Sequence, residues 1–348
     1  MSVQKTDIAI IGAGPVGLFA VFQCGMLGMK SHVIDALPEI GGQCTALYPE
    51  KPIYDIPAHP SILGGSLIDQ LAAQAAPFDP VYHLNQQVVS LLKDDHEDFH
   101  LVTSTGNEIR AKAVFIAAGP GAFGPNKPPL ENIEQFENTS IHYLVREKSC
   151  FAGKTLVIAG GGDSAVDWAV SLSEVAEKIY IVHRRDKFRA TPDSVLKLNA
   201  LCAEGRIEKC TPYQLHSVTG EGQNINTVNI SDMDGNQRAV KADHLLCFYG
   251  LKQDLGPINK WGLDIDRFHI SVNQSTSETN IQGVYAVGDV AHYCNKIKLI
   301  TTGFAEVAQA AHHAYGRVFP EQSLHFEYST TKGVPQINDD KIKTVKDR

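Results

Sequence analysis

Two glycine-rich turns, each set between an apolar strand and a helix-like stretch, constrain this chain more than any other feature. The first, Gly12-Ala13-Gly14-Pro15-Val16-Gly17, follows Ile8-Ala9-Ile10-Ile11. The second, Gly160-Gly161-Gly162-Asp163-Ser164-Ala165, follows Leu156-Val157-Ile158-Ala159. Small residues let the backbone approach a pyrophosphate, and the unpaired N–H groups of the helix N-terminus face it. One such turn is weak evidence, but two in the same strand–turn–helix context are strong. The expected fold is α/β, with two Rossmann-like dinucleotide-binding domains. Gly12, Gly14 and Gly17 would serve the first nucleotide. Gly160, Gly162 and Ala165 would serve the second, Ala165 being a tolerated variant of the third glycine.

The two units differ where the adenosine ribose is read. Asp35 lies 23 positions after Gly12, where an acid hydrogen-bonds a ribose 2′-hydroxyl. The same offset from Gly160 falls on His183-Arg184-Arg185, with Arg189 shortly after. Guanidinium groups there suit a 2′-phosphate, which they bind bidentately. His183 shapes the loop. One site thus suits an unphosphorylated adenosine and the other NADP, which suggests FAD as resident and NADP(H) as visitor.

Along the chain, residues 7–35 read as strand, turn, helix and strand. The stretch from Leu37 to Pro60 is too rich in Gly and Pro for a long helix, yet long enough to wrap a ligand. A helix is expected over Ser66–Ala76, and strands over 87–92, 98–103 and 108–118. Gly119 to Pro125 has the composition of a hinge. In the second unit, helices are expected at Ala169–Val175 and Pro192–Ala203, with a strand at Ile179–Val182 between them. A last helix covers Gly303–Tyr315, with Thr301-Thr302-Gly303 at its start. Material after the second copy has no counterpart after the first, so the second domain reads as an insertion. The expected limits are 1–120 and 251–336 for the FAD domain, 121–250 for the NADPH domain and 337–348 for a polar tail.

Composition narrows the class. A length of 348 residues suits two to three domains at about 150 residues each. No apolar run approaches the roughly 20 residues of a membrane span. No basic-then-apolar leader precedes the first strand, so a cytoplasmic location without membrane contact is expected. The net charge of −8 argues against a nucleic-acid partner. The seven cysteines, Cys24, Cys44, Cys150, Cys202, Cys210, Cys247 and Cys294, include no Cys-x-x-Cys pair. Such dispersed thiols suit a reducing compartment. His312-His313 has no Cys or carboxylate at ligand spacing, so no metal site is expected.

The Gly12-x-Gly14-x-x-Gly17 loop, the run from His183 to Arg189 and the Ala286-Val287-Gly288-Asp289 turn together resemble two-domain flavoprotein reductases of the thioredoxin reductase type. Those enzymes carry a redox Cys-x-x-Cys shortly before the second glycine loop. Here His142 to Cys150 holds one cysteine only. A subgroup without that pair, the thioredoxin-reductase-like ferredoxin–NADP reductases, is similar in two further stretches. One is Gly42 to Asp55, and the other is the tail carrying Glu327-Tyr328-Ser329-Thr330.

The resemblance implies a homodimeric enzyme passing electrons between NADP(H) and ferredoxin through FAD. Hydride is exchanged at flavin N5, single electrons leave to an iron–sulfur protein, and no side chain acts as catalytic acid, base or nucleophile. It implies Gln43 on the flavin, Tyr48 stacked on the isoalloxazine, Val88 and Phe123 touching FAD, and Asp289 at a ribityl hydroxyl. Tyr328 would cover the second flavin face across a dimer interface, with Thr330 beside it. The last helix would aim its N-terminus at the pyrimidine edge. Lys296 and Lys298 are candidates for a basic ferredoxin-docking patch. The alternatives are an NADPH-dependent disulfide reductase and a non-catalytic NADPH-sensing flavoprotein.

Overall fold

Alternating apolar strands and helices build two separate units in a computed structural model that describes residues 3–324 and 333–334. The first unit comprises Met1–Phe123 with Gln253–Arg348, and the second Gly124–Lys252.

In the first unit, strands Val81–His83, Ser31–Ile34, Gln4–Ile11 and Glu108–Ile116 lie side by side in parallel. Glu108–Ile116 is long enough to serve two neighbours. Its first half pairs antiparallel with Phe99–Thr103, which continues to Val88–Lys93. Its second half pairs in parallel with Val284–Ala286, from beyond the insertion. The run Ile8-Ala9-Ile10-Ile11 is buried because both sheet faces are covered. Helices Pro15–Met26 and Ile300–Val318 share one core with the sheet, through Val16, Ala20, Val307 and Ala311. Helix Gly64–Ala75 packs with Leu18, Cys44 and Ile56 on the loop side.

In the second unit, parallel strands run in the order Ile141–His142, His244–Cys247, Thr155–Ala159, Lys178–Val182, Ile207–Cys210. Helices Asp163–Leu172 and Pro192–Ala203 connect them, and a three-stranded antiparallel sheet, Gln214–Lys241, follows. Pro192 starts its helix because Pro lacks only an N–H that the first turn leaves unpaired.

Three expectations shift. The helix expected over Ala169–Val175 is Asp163–Leu172, beginning directly at the glycine turn. It stops early because the chain turns at Ser173, whose hydroxyl donates to the Val170 carbonyl at 2.7 Å. The last helix starts at Ile300 and runs to Val318, longer than expected at both ends. The irregular stretch after Leu37 contains a four-residue helix, Gln43–Ala46, and a small ribbon pairing Pro52–Ile53 with Ile62–Leu63. No helix among the described residues is long and apolar enough to cross a membrane.

Candidate functional site

The first glycine turn forms the floor of a cleft in the first unit. Gly12 has φ +110°, and a Cβ there would stand 2.4 Å from the Ala117 carbonyl oxygen. Strand and turn can meet so closely only with glycine at this position. Gly14 precedes helix Pro15–Met26 as its N-cap, with no side-chain cap and nothing but Gly42 nearby. The N-terminal N–H groups are therefore left to a ligand. Gly17 lies behind this surface, against the Gly12 carbonyl, and serves helix–strand packing.

Asp35 closes the turn from the next strand. One oxygen accepts the Ala13 N–H at 2.6 Å and the other the Leu37 N–H at 2.8 Å. Burial pushes its pKa up, against the lowering effect of these backbone donors. A carboxylate has about four acceptor sites, so two remain for a ribose.

Gly12, Gly14, Asp35, Gln43, Tyr48, Val88 and Asp289 line one common cleft with a cavity of about 300 Å³. Tyr48 is half-buried, and its hydroxyl accepts from the Cys44 thiol at 3.8 Å. Burial raises the pKa of both, Cys44 to about 11, so Cys44 is a thiol and not a thiolate at neutral pH. Ile300, the first residue of the last helix, also reaches the cleft, and Asp289 stands exposed beside it. For Phe123 only the backbone is described, in strand Ala122–Pro125. Tyr328 and Thr330 lie outside the described residues.

These residues fit a dinucleotide such as FAD. The cleft has a glycine floor, an uncapped helix N-terminus and an acid at the ribose position. One of its walls carries Trp261, 9% exposed, whose indole N–H has no partner among the described residues. An unpaired buried donor is costly and is satisfied when a ligand supplies the acceptor. Sequence reasoning missed Trp261, which lies in a segment with no motif of its own.

The second glycine turn is built the same way but framed by cations. Gly160 has φ +154° and packs against the Phe248 carbonyl and the Ala165 methyl. Ala165 is fully buried, so it supports the turn and presents no atom to a ligand. Gly162 is the uncapped N-cap of helix Asp163–Leu172. The His183 imidazole covers Gly161 so closely that a Cβ there would fall 2.1 Å from the ring. Burial, then the charges of Arg184, Arg185 and Arg189, lower the pKa of His183 and favour its neutral form. Its Nε2 is buried and unpartnered among the described residues.

The basic run is pinned at both ends. Phe188 is buried, its ring 5.3 Å from that of His183, and the Arg189 N–H donates to the Gly161 carbonyl at 2.7 Å. Asp163 accepts the Thr191 N–H at 2.9 Å just beyond. Arg184, Arg185 and Arg189 are exposed at the mouth of the turn. This arrangement fits a nucleotide carrying a 2′-phosphate.

Lys296 is not the docking residue expected from its sequence. Its side chain is 3% exposed and paired with Glu306, itself 3% exposed, on the last helix. Lys298 is exposed and 2.6 Å from the His269 ring. Sequence reasoning also missed Glu306. The available signal was an acid within the apolar stripe of the last helix, beside Gly303, Val307 and Ala310.

Comparison with known proteins agrees with this geometry. The pyridine nucleotide-disulphide oxidoreductase family matches residues 6–315. A protein of Rickettsia rickettsii (strain Iowa) called ferredoxin–NADP reductase is 59% identical, over 94% of this chain and 96% of its own. Its namesake in Rickettsia felis is 60% identical over 94% and 98%. Among solved structures, the thioredoxin reductase of Lactococcus lactis superimposes with a TM-score of 0.76 at 25% identity, covering 90% of this chain and 99% of that one. The chain belongs to the pyridine nucleotide-disulphide oxidoreductase family.

Proposed function

We propose that this protein is a ferredoxin–NADP reductase with bound FAD, using NADP(H) as the exchangeable nucleotide. The observation that carries the reading is the pair of unlike nucleotide cradles, Asp35 closing one and three arginines framing the other, on a chain without a Cys-x-x-Cys pair. FAD, when bound, supplies the exchange between two-electron hydride chemistry and single-electron transfer.

The chain's own residues bind and orient. The Gly12–Gly14 turn and the N-terminus of helix Pro15–Met26 take the FAD pyrophosphate, and Asp35 takes its ribose. Val88 covers the adenosine end, with Phe123 as a further contact. Gln43, Tyr48 and Asp289 hold the flavin end. Stacking of Tyr48 suits an amphipathic ring with few rotatable bonds. In the second unit, Gly160 and Gly162 admit the NADP(H) pyrophosphate, and Arg184, Arg185 and Arg189 hold its 2′-phosphate. No side-chain acid, base or nucleophile is required. Tyr328 and Thr330 would complete the flavin site from the tail of a second subunit of a homodimer. A cytoplasmic location goes with the seven unpaired cysteines.

Anaerobic reduction of the purified protein by NADPH, followed by ferredoxin or by thioredoxin, tests the reading. Ferredoxin should reoxidise the flavin and thioredoxin should not. Reoxidation by thioredoxin alone would make the protein a disulfide reductase. NADPH reduction with no turnover by either partner would make it a sensor.

A further inference from the structure

The Gly288-Asp289 turn is held from behind by a buried ion pair. Glu306 Oε2 accepts the Gly288 N–H at 2.7 Å. Its Oε1 accepts the Tyr293 hydroxyl at 2.7 Å and also the Lys296 ammonium. Lys296 lies 5.2 Å from the Tyr293 ring centroid as well. Three of the carboxylate's acceptor positions are thus filled by an amide, a phenol and an ammonium.

Stability does not account for this arrangement. Taking both charges out of water costs about as much as their attraction returns, and apolar residues of similar volume would pack as well. Val307 and Ala310 are buried on the same helix, while Asn273, Ser275 and Thr302 line a small cavity on the other side of Glu306. The location is more telling. Gly288, at φ +75°, and Asp289 line the flavin cleft, and Gly288 Cα stands 3.2 Å from where a Gly303 Cβ would be. Helix and turn touch, and the Glu306 carboxylate spans the contact.

We propose that Glu306 is a positioning residue for the flavin. It fixes the Gly288 peptide so that Asp289 meets the cofactor, while Lys296 cancels its charge. The inference rests on the FAD assignment above. It makes two separable demands. An acceptor at position 306 must hold the turn, whatever its charge. Charge balance between positions 306 and 296 must set the field at the flavin, because a buried unpaired charge acts strongly at short range.

Four variants separate these demands: Glu306→Gln, Lys296→Met, the double E306Q/K296M, and the double E306A/K296M. For each, FAD affinity is measured by titration of the apoprotein and the flavin midpoint potential by dye equilibration. Glu306→Gln leaves a bare cation and should raise the potential, because reduced flavin is the more negative form. Lys296→Met leaves a bare carboxylate and should lower it. E306Q/K296M is neutral and keeps an amide oxygen for Gly288, so potential and FAD affinity should return to parental values. E306A/K296M is neutral without an acceptor, so its potential should stay near the parent while FAD binding weakens roughly tenfold or more. Single variants that move the potential in the same direction would overturn the charge-balance part. Parental FAD affinity in E306A/K296M would overturn the positioning part. If the single variants do not fold, the two neutral doubles still compare acceptor with no acceptor at equal charge. A parent protein that binds no FAD would instead refute the cofactor assignment.

Discussion

The backbone N–H of Ala13 donates to the Asp35 carboxylate at 2.6 Å, tying the first glycine turn to the end of the neighbouring strand. The acid therefore shapes the cradle before any ligand arrives. Asp35→Ala removes this bond and the one from Leu37, leaving two donors in a half-buried site. Hydrogen bonds to a charged group contribute about 1.5–3 kcal/mol each. FAD affinity should fall at least tenfold, and the apoprotein should melt at lower temperature. Calorimetry of the apoprotein together with FAD titration checks both. Weakened FAD binding at an unchanged melting temperature would mean that Asp35 serves the ribose alone.

Gly161→Ala places a methyl group where the His183 ring lies. The ring must move, and with it the start of the basic run. The Michaelis constant for NADPH should rise several-fold while FAD content stays at the parental level. Steady-state kinetics beside the visible spectrum reads both. Parental NADPH kinetics would show that the ring has room to yield.

Arg184→Ala combined with Arg185→Ala should cost NADPH affinity far more than NADH affinity. Two lost charge-assisted contacts amount to about 3–6 kcal/mol, a hundredfold or more in binding. Equal losses for the two nucleotides would remove the 2′-phosphate assignment.

Cys44 is buried and held as a thiol, and Cys150 is exposed. Cys44 lines the flavin cleft, but neither cysteine is joined in a disulfide. Serine at both positions should leave NADPH-dependent ferredoxin reduction within about threefold of the parent, because the Tyr48 hydroxyl is already at hand as a partner for a hydroxyl at position 44. Abolished turnover with FAD still bound would show that a thiol carries electrons.

Two histidine pairs, His32 with His83 buried and His142 with His244 half-buried, make stability depend on pH. His32 and His83 lie 3.0 Å apart in the first unit, and His142 and His244 lie 3.1 Å apart in the second. Burial, reinforced by the neighbouring ring, lowers His32 and His142 from about 6.5 to about 4. A group lowered in the folded state stays neutral there and takes up its proton on unfolding. The stability is therefore whole above about pH 6.5 and is lost as pH falls toward 4. Melting temperature should drop between pH 6.5 and 5, above the range where carboxylates titrate. Replacing His32 and His83 by Gln should lessen that drop, leaving the share of the second pair. A parent whose melting temperature is level across this range would refute the account.

Much of the architecture was legible because its constraints are local. A strand, a glycine turn and a helix fit within about 20 residues, and Pro192 marks its helix start without help from the rest of the chain. The offset to Asp35 or to His183 also depends only on that short unit. Lys296 and Glu306 were not legible. In Asn295-Lys296-Ile297-Lys298 both lysines look suited to the surface, and only the packing of the last helix decides that Lys296 turns inward and Lys298 outward. Trp261 was hidden for a related reason. Its unpartnered N–H acquires meaning from the cleft wall assembled around it.

The strand Val284–Ala286 that completes the first sheet is made after the whole second unit. At 5–20 residues per second, the roughly 160 residues between Phe123 and Val284 occupy a ribosome for on the order of 8–30 s. Within that time the second unit receives its last strand, His244–Cys247, and then has everything its own sheet requires. Glu108–Ile116, by contrast, waits with the far half of one edge unpaired and without the cover of helix Ile300–Val318. Synthesis order therefore makes the inserted unit the earlier to mature. The nascent first unit is the one more exposed to aggregation while it waits.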